Sequence, residues 1–367
     1  MSEEVIKDIN IETPKKSKNY CLFLFEIAAS IFITFIHIRF PSPYGEFIVY
    51  LARFGVPLFF MISGFYLVPD GTTNPIELRN RIKKKLIRIV ILLGISSTIY
   101  FLYGFFSSIT DLSSFFINRW NLFNFINFIL FNSPFLNVPH WFLLALIYVY
   151  LIILCFPKLF LGKDIWLILI SLILFITITL HILSYRVDAS LFGCQLPDGI
   201  HFRNWFFNAL PFISLGVLLK RKIKYLESLN LGLVIALLVF SMVAQVGELY
   251  LYNSVLHMNI EFGVFTIPLC SLILVLSVKT PMPSLGKYKI LATKGNWTTF
   301  VYILHPLFIS VVSSICSVTT FDQYALCAHL KPILVVIITI PIAILFNYLF
   351  NLIYNSKTNH SDKPNLC

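Results

Sequence analysis

Three ionisable residues, Glu26, His37 and Arg53, lie in two long apolar runs near the start of the chain. Charged groups are rare in lipid-embedded helices and usually face a polar cavity, so the three are candidates for chemistry. Histidine is the natural proton acceptor near neutral pH, and an arginine can steady a developing oxyanion. Arg53 needs an anion, which Glu26 or Glu46 could supply. The pattern favours a proton-transfer site, although an isolated histidine can also be a packing residue.

The distance along the chain from Glu26 to His37 is eleven residues. Eleven residues make about three turns of an α-helix, so the two side chains share one face at separate depths. Pro57, Ser63 and Gly64 in the second run allow close backbone approach and local helix irregularity. We therefore expect the first two apolar helices to pack closely around a polar seam.

A second candidate is the basic run RNRIKKKLIR at 79–88. Arg81, Lys84, Lys85 and Arg88 recur at three- and four-residue spacing, which places them on one face of a helix. Such a face could bind a phosphorylated ligand, since guanidinium groups pair bidentately with phosphate. A solvated anchor at the cytoplasmic end of a membrane helix is the more frequent reason for such a run.

Further polar groups are His140 and Trp141, which open another apolar run, and His305 in YILHPLF. Trp141 is typical of an interfacial anchor. Pro306 follows His305, so the preceding turn could open and expose the imidazole to a cavity. The three residues are candidate substrate contacts that could equally pair inside a bundle. The cysteines show no metal-ligand spacing, and we expect no metal.

The composition excludes an ordinary soluble domain, because hydrophobic residues make up 58%, charged residues 12%, and the mean hydropathy is +0.84. Runs of roughly 20 apolar residues predict an all-α polytopic membrane protein with about ten transmembrane helices. The first 19 and last 11 residues are polar tails around a membrane domain at 20–356. The predicted spans are 20–40, 46–68, 86–107, 139–156, 164–184, 205–219, 230–250, 260–278, 297–318 and 332–354.

The distribution of basic residues predicts the orientation. If the N-terminus is cytoplasmic, 22 of the 28 Lys and Arg fall in inner segments and five in outer ones. Such an excess places both termini in the cytoplasm. The positive net charge is therefore a property of the inner loops and does not indicate a nucleic-acid partner. Cys194 and Cys327 fall in predicted outer loops and could pair.

The predicted outer segment 108–138 is long, aromatic and rich in asparagine. It could be an amphipathic helix lying in the membrane interface. It could also form a lid over a cavity that receives a sugar or another polyol. No internal repeat is visible, which weakens a transporter interpretation based on repeats.

Six stretches taken together resemble the membrane acyltransferase-3 family. They occur in the family's order and span nearly the whole membrane domain. The stretches are FIHIRF at 35–40, ARFGVPLFFMISGF at 52–65, the basic run at 79–88, PHWFLLALIYVY at 139–150, NALPFISLGVLL at 208–219 and YILHPLF at 302–308.

The resemblance implies a ten-helix bundle that takes an acyl group, usually acetyl, from cytoplasmic acetyl-CoA. It implies transfer of this group to a hydroxyl of a carbohydrate at the outer face of the membrane. His37 would be the catalytic base or acyl carrier, and the basic motif with Arg81 and Arg88 would contact the coenzyme. Lys84 and Lys85 retain the charge of that motif but give point contacts where arginine gives a fork.

Glu26 departs from the family pattern, in which a basic residue commonly stands eleven positions before the catalytic histidine. A carboxylate near His37 could hold the imidazole protonated, or orient it as a triad carboxylate does. We expect a bacterial cell-membrane O-acetyltransferase that acts on an envelope polysaccharide or a lipid-linked glycan precursor. The alternative is a non-catalytic membrane protein that binds or transports a small polar solute such as an amino acid, and Glu26 favours it.

Overall fold

A computed structural model of the protein describes residues 19–69, 71–135, 140–186, 202–281, 297–318 and 325–361. Within these ranges the secondary structure is helical and contains no strand, which confirms the predicted all-α class. Cys194 lies outside the described residues, so its pairing with Cys327 stays a prediction.

The described chain forms fifteen numbered α-helices and two π-helical segments, Trp205–Ala209 and Leu251–Val255. The helices are α1 Tyr20–His37, α2 Tyr44–Ala52, α3 Gly55–Phe65, α4 Pro75–Ser107, α5 Leu112–Arg119, α6 Leu122–Phe131, α7 His140–Cys155, α8 Pro157–Leu161, α9 Asp164–Arg186, α10 Leu210–Arg221, α11 Ile223–Ser228, α12 Leu231–Tyr250, α13 Thr266–Lys279, α14 Trp297–Val318 and α15 Ala325–Ser361.

Seven helical segments of the described chain are long and apolar enough to cross a membrane. They correspond to α1, to α2 with α3, and to α4, α9, α12, α14 and α15, the α12 segment running on through its π-helical extension. The other three predicted runs form shorter helices, α7, α10 and α13. The protein is therefore a multi-pass helical membrane protein, while the count of ten spans stays a prediction.

The second predicted run is interrupted where α2 ends and α3 begins, around Arg53 and Phe54. The amide nitrogen of Gln245 donates to the carbonyl oxygens of Tyr50 at 2.9 Å and Leu51 at 3.2 Å. The Cys270 thiol donates to the Phe54 carbonyl oxygen at 3.5 Å. Because α12 and α13 supply these donors, the break is satisfied inside the bundle, and it holds Arg53 at a fixed position.

Helices α3 and α10 pack with their backbones in close approach at two glycines. A Cβ atom on Gly64 would collide with the Ile213 carbonyl, and one on Gly216 would collide with the Met61 carbonyl. The close approach predicted around Gly64 is confirmed, and it is the geometry that small residues permit between membrane helices. Substituting either glycine would push the two helices apart.

Basic residues from several segments lie together at one end of the bundle, which we call the basic end. Arg79 Nε donates to the Leu154 carbonyl at 3.0 Å, and Arg221 Nη1 donates to the Gly162 carbonyl at 2.7 Å. The Lys220 ammonium lies 5.2 Å from the centre of the Phe65 ring. The basic segments thus share one end, as the predicted orientation requires, and the assignment of that end to the cytoplasm stays a prediction.

The segment after α4 forms two short helices, α5 and α6, and α6 buries none of its residues. Asn132 ends α6 in the left-handed region, with φ of 49°. Its side chain donates to the Trp141 carbonyl at 3.0 Å and accepts from the Trp205 backbone N–H at 2.7 Å. This buried asparagine helps to tie the segment to α7 and to the first π-helical segment. The Tyr148 hydroxyl and the Trp205 indole N–H add hydrogen bonds to α6 carbonyls, at 2.9 and 3.1 Å.

Candidate active site

A cavity of about 230 Å³ opens where α1 ends and α3 begins, and we call it the histidine cavity. Its charged lining residues are His37, Arg39, Arg53, Arg203 and Glu261. His37 is the last residue of α1, and its side chain is exposed in this cavity. The structure thus brings together His37 and Arg53, two of the three ionisable residues in the first two apolar runs.

The anion that satisfies Arg53 is Glu261. Arg53 Nη1 lies 3.9 Å from Glu261 Oε1, and Arg203 Nη2 forms a closer ion pair with the same oxygen. The predicted partners are wrong. Glu46 instead accepts hydrogen bonds from Ser42 and Ser254, both at 3.4 Å. The correct partner lies more than 200 residues away in sequence, where no local spacing could indicate it.

Glu261 is fixed by the loop that precedes α13. Asn253 accepts from the Ile260 backbone N–H at 2.9 Å and donates to the Ile260 carbonyl at 3.1 Å. On the other side, Glu248 accepts from the backbone N–H groups of Val264 and Phe265, at 2.9 and 3.0 Å. A glutamate at a helix N-terminus is stabilised in this way. The two anchors keep the Glu261 carboxylate pointed at the arginines.

Arg203 enters the cavity from the start of the first π-helical segment. Asn204 caps this segment, since its side-chain oxygen accepts from the Phe206 and Phe207 backbone N–H groups at 2.8 Å. Among the described residues, the buried Nε of Arg203 and the buried side-chain oxygen of Asn208 have no hydrogen-bond partner, and both residues line the cavity.

His305 packs behind His37, with 5.1 Å between the ring centroids. Its Nδ1 lies 3.2 Å from the Val301 carbonyl, and the residue is fully buried. Its Nε2 has no hydrogen-bond partner within the described part of the chain. The expectation that Pro306 exposes this imidazole to a cavity is wrong. The imidazole packs against the Val301 carbonyl, one helical turn earlier, and α14 continues without a break through Pro306.

His140 and Trp141, adjacent in sequence, occupy different surroundings. His140 is buried, and its Nε2 lies 2.6 Å from the Ser96 hydroxyl. The ring also packs edge-on against Tyr100. Trp141 lines the histidine cavity. Of this predicted pair, only the tryptophan is placed to touch a ligand there.

A second cavity of about 300 Å³ lies toward the basic end, and we call it the donor cavity after the cationic hydrogen-bond donors, Lys85 and Arg88, in its lining. Lys85 and Arg88 line it together with Glu26. Lys85 Nζ and Arg81 Nη2 donate to the Tyr66 carbonyl beyond the end of α3, at 3.1 and 2.8 Å. Cations are favourable at that end of a helix.

The four predicted coenzyme-binding residues therefore separate into two groups. Lys85 and Arg88 face the donor cavity, whereas Arg81 lies outside its lining and Lys84 is exposed. Glu26 is buried, lines the donor cavity and does not line the histidine cavity. The predicted separation in depth between Glu26 and His37 is confirmed.

Tyr302 lines both cavities. The ring is buried, 5.1 Å from the Phe142 ring and 5.9 Å from the His305 ring between centroids. The two cavities therefore approach each other across one phenol. An extended ligand that occupied both would pass this side chain.

Sequence reasoning did not assign a role to four residues of these cavities, Arg203, Asn208, Glu261 and Tyr302. Glu261 carried a signal, since it is a charged residue at the edge of an apolar run. Arg203 counted only as an outer-loop charge. Tyr302 stands three residues before His305 in a stretch that the sequence analysis quotes, but no spacing rule separates it from the other aromatic residues.

Within the described ranges, no group of three or more His, Cys, Asp or Glu side chains could hold a metal ion. The family model of an acyltransferase domain, acyltransferase-3, matches residues 20–352, from α1 into α15. The chain belongs to the acyltransferase-3 family. No curated protein and no solved structure matches it. The resemblance carried by the six stretches is confirmed, and the protein is a membrane acyltransferase.

Proposed function

We propose that this acyltransferase moves an acetyl group from acetyl-CoA to a hydroxyl of an envelope polysaccharide or of its lipid-linked precursor. The protein would act in a bacterial cell membrane with both termini in the cytoplasm. The observation that supports this proposal is the pair of cavities that meet at Tyr302. One cavity carries cations near the basic end, and the other carries an exposed histidine.

The donor cavity suits the coenzyme because Lys85 and Arg88 offer charge-assisted donors to phosphate oxygens. The rest of the lining is largely apolar and aromatic, which suits the pantetheine arm that carries the acetyl group. Glu26 and His37 are eleven residues apart on one helix, about 16 Å along its axis. The thioester must therefore extend past Tyr302 to reach His37.

The reaction is a substitution at the thioester carbonyl. In our proposal, the acceptor hydroxyl loses its proton to His37 as its oxygen forms a bond to the carbonyl carbon. The carbon–sulfur bond breaks, and the imidazolium returns the proton to the coenzyme sulfur. Base catalysis of this kind contributes about 10²- to 10⁴-fold to the rate.

Arg53 would stabilise the oxyanion that forms during the transfer. It lines the same cavity as His37, and the Glu261 ion pair holds its guanidinium in place. A preorganised cation in a site that excludes water is worth far more than the same charge in bulk solvent. Glu26 would affect the binding of acetyl-CoA, since it lines the donor cavity and not the histidine cavity.

The direct test is acetyl transfer by the purified protein in reconstituted membranes, with acetyl-CoA binding measured on the same sample. We expect saturable acetyl-CoA binding and release of CoA that depends on an acceptor. Absent binding, together with saturable uptake of a small solute, would overturn the enzyme in favour of the transport alternative. Glycan analysis of a deletion strain would show which ester-linked acetyl group is lost.

A further inference from the structure

The histidine cavity has an excess of positive charge among its described lining residues. Three guanidinium groups, those of Arg39, Arg53 and Arg203, face it, and Glu261 is the one carboxylate. Arg53 and Arg203 both direct their ion pairs to the same oxygen, Glu261 Oε1. One carboxylate cannot neutralise three cations, and charge of one sign in a concave site attracts ligands of the opposite sign.

The geometry of Arg203 indicates where the opposite charge would bind. Glu261 engages the Nη2 atom, and 26% of the Arg203 side-chain surface is exposed. A guanidinium presents its donors as a planar fork that matches a carboxylate or phosphate bidentately. Arg203 thus has donor capacity that the described protein does not use, at the wall of the cavity that holds His37.

The rest of the lining suits a sugar. Asn208 and Asn259 place amide side chains at the cavity, and Asn259 is exposed. Trp141, Phe262 and Tyr302 supply aromatic surface.

We propose that the histidine cavity selects an acceptor sugar that carries an anionic group, a carboxylate or a phosphate, with Arg203 and Arg39 as the residues that recognise it. This inference rests on the proposed function for the role of the sugar as acceptor. The anion would bind to the two arginines, and its ring would place a hydroxyl toward His37. Arg53 does not bind this anionic group in our proposal, since its role is to stabilise the oxyanion that forms during the transfer.

The test is a binding experiment on the purified, reconstituted protein with three probe sugars: glucose, glucuronic acid and glucose 6-phosphate. We expect at least one charged sugar to bind more tightly than glucose by on the order of tenfold. Comparing glucuronic acid with glucose 6-phosphate shows whether the site prefers a carboxylate or a phosphate. In Arg203→Gln this preference should disappear, whereas Arg203→Lys should retain part of it.

Arg119→Gln is the matched control, because Arg119 lies in α5 and its guanidinium stacks on Phe115 outside both cavities. Equal affinity for all three sugars, no binding of either charged sugar, or a preference that survives Arg203→Gln would overturn the inference. Acetyl-CoA binding on the same sample separates the two proposals. Anion preference without acetyl-CoA binding would overturn the proposed function alone, and the reverse result would overturn the anionic acceptor alone.

Discussion

The two cavities share Tyr302 but differ in how their charges are held. In the donor cavity, Lys85 and Arg88 are long side chains from one helix face, and each makes a hydrogen bond to its surroundings. In the histidine cavity, the charges come from separate elements and converge on Glu261. The first arrangement suits attraction of a mobile phosphate group, and the second suits fixed positioning. The difference suggests binding in one cavity and chemistry in the other.

The largest effect should follow from His37→Gln. We expect kcat to fall by about 10²- to 10⁴-fold because the proton acceptor is lost. The Kd for acetyl-CoA should not change, since His37 does not line the donor cavity. His257→Asn is a control: His257 is an exposed residue with a left-handed φ of 54°, which asparagine adopts readily. Acetyl transfer that survives His37→Gln would remove His37 from the mechanism.

Arg53→Gln should lower kcat by about 10²- to 10³-fold through loss of oxyanion stabilisation. The substitution should not leave a buried carboxylate unpaired, because Glu261 keeps its ion pair with Arg203. Steady-state kinetics in both substrates checks this, with thermal unfolding as the control for folding. If kcat held and the KM for acetyl-CoA rose, Arg53 would belong to donor binding.

In the donor cavity, Arg88→Gln and Lys85→Gln should each raise the KM for acetyl-CoA by about tenfold, because each removes a charge-assisted contact to phosphate. The kcat at saturation should stay the same, since uniform binding affects KM alone. Lys84→Gln is the matched control, because Lys84 neighbours Lys85 in sequence but is exposed and lines neither cavity. An equal effect of all three substitutions would indicate a general surface potential and no specific contact.

The smallest effect should come from Glu26→Gln. It removes a carboxylate from the cavity that Lys85 and Arg88 line, so the KM for acetyl-CoA should fall by about threefold. Kinetics at fixed acceptor concentration measures the change. A loss of kcat comparable to that of His37→Gln would show that Glu26 acts on His37 instead, as a triad carboxylate does.

Much of the helical fold follows from the sequence, because apolar run length is a local signal. The periodicity also predicts correctly that Glu26 and His37 lie at separate depths. Pro57 indicates an irregularity in the second run, and α2 does stop at Ala52. The sequence cannot predict that Gln245 and Cys270, on distant helices, are the donors that satisfy the break. The helix count is affected similarly, as α13 begins at Thr266, six residues after the start of its apolar run.

The candidate site was only partly predictable, and its residues show why. His37 and Arg53 are conspicuous as charges in apolar surroundings. Helical spacing groups Lys84 with Lys85, but it cannot show that only Lys85 turns toward the donor cavity. Glu261 and Arg203 reach the site through tertiary packing across more than 140 residues of chain from Arg53. The spacing of residues along the sequence does not indicate contacts between segments so far apart.

The most direct test of the account is acetyl transfer across a sealed membrane. Proteoliposomes would hold labelled acetyl-CoA in the lumen, with the acceptor glycan supplied outside. If the cavities form one path past Tyr302, labelled acetyl ester should appear on the outer glycan while CoA stays in the lumen. His37→Gln vesicles should show neither product. Transfer that occurs only when donor and acceptor share one compartment would contradict a path across the membrane.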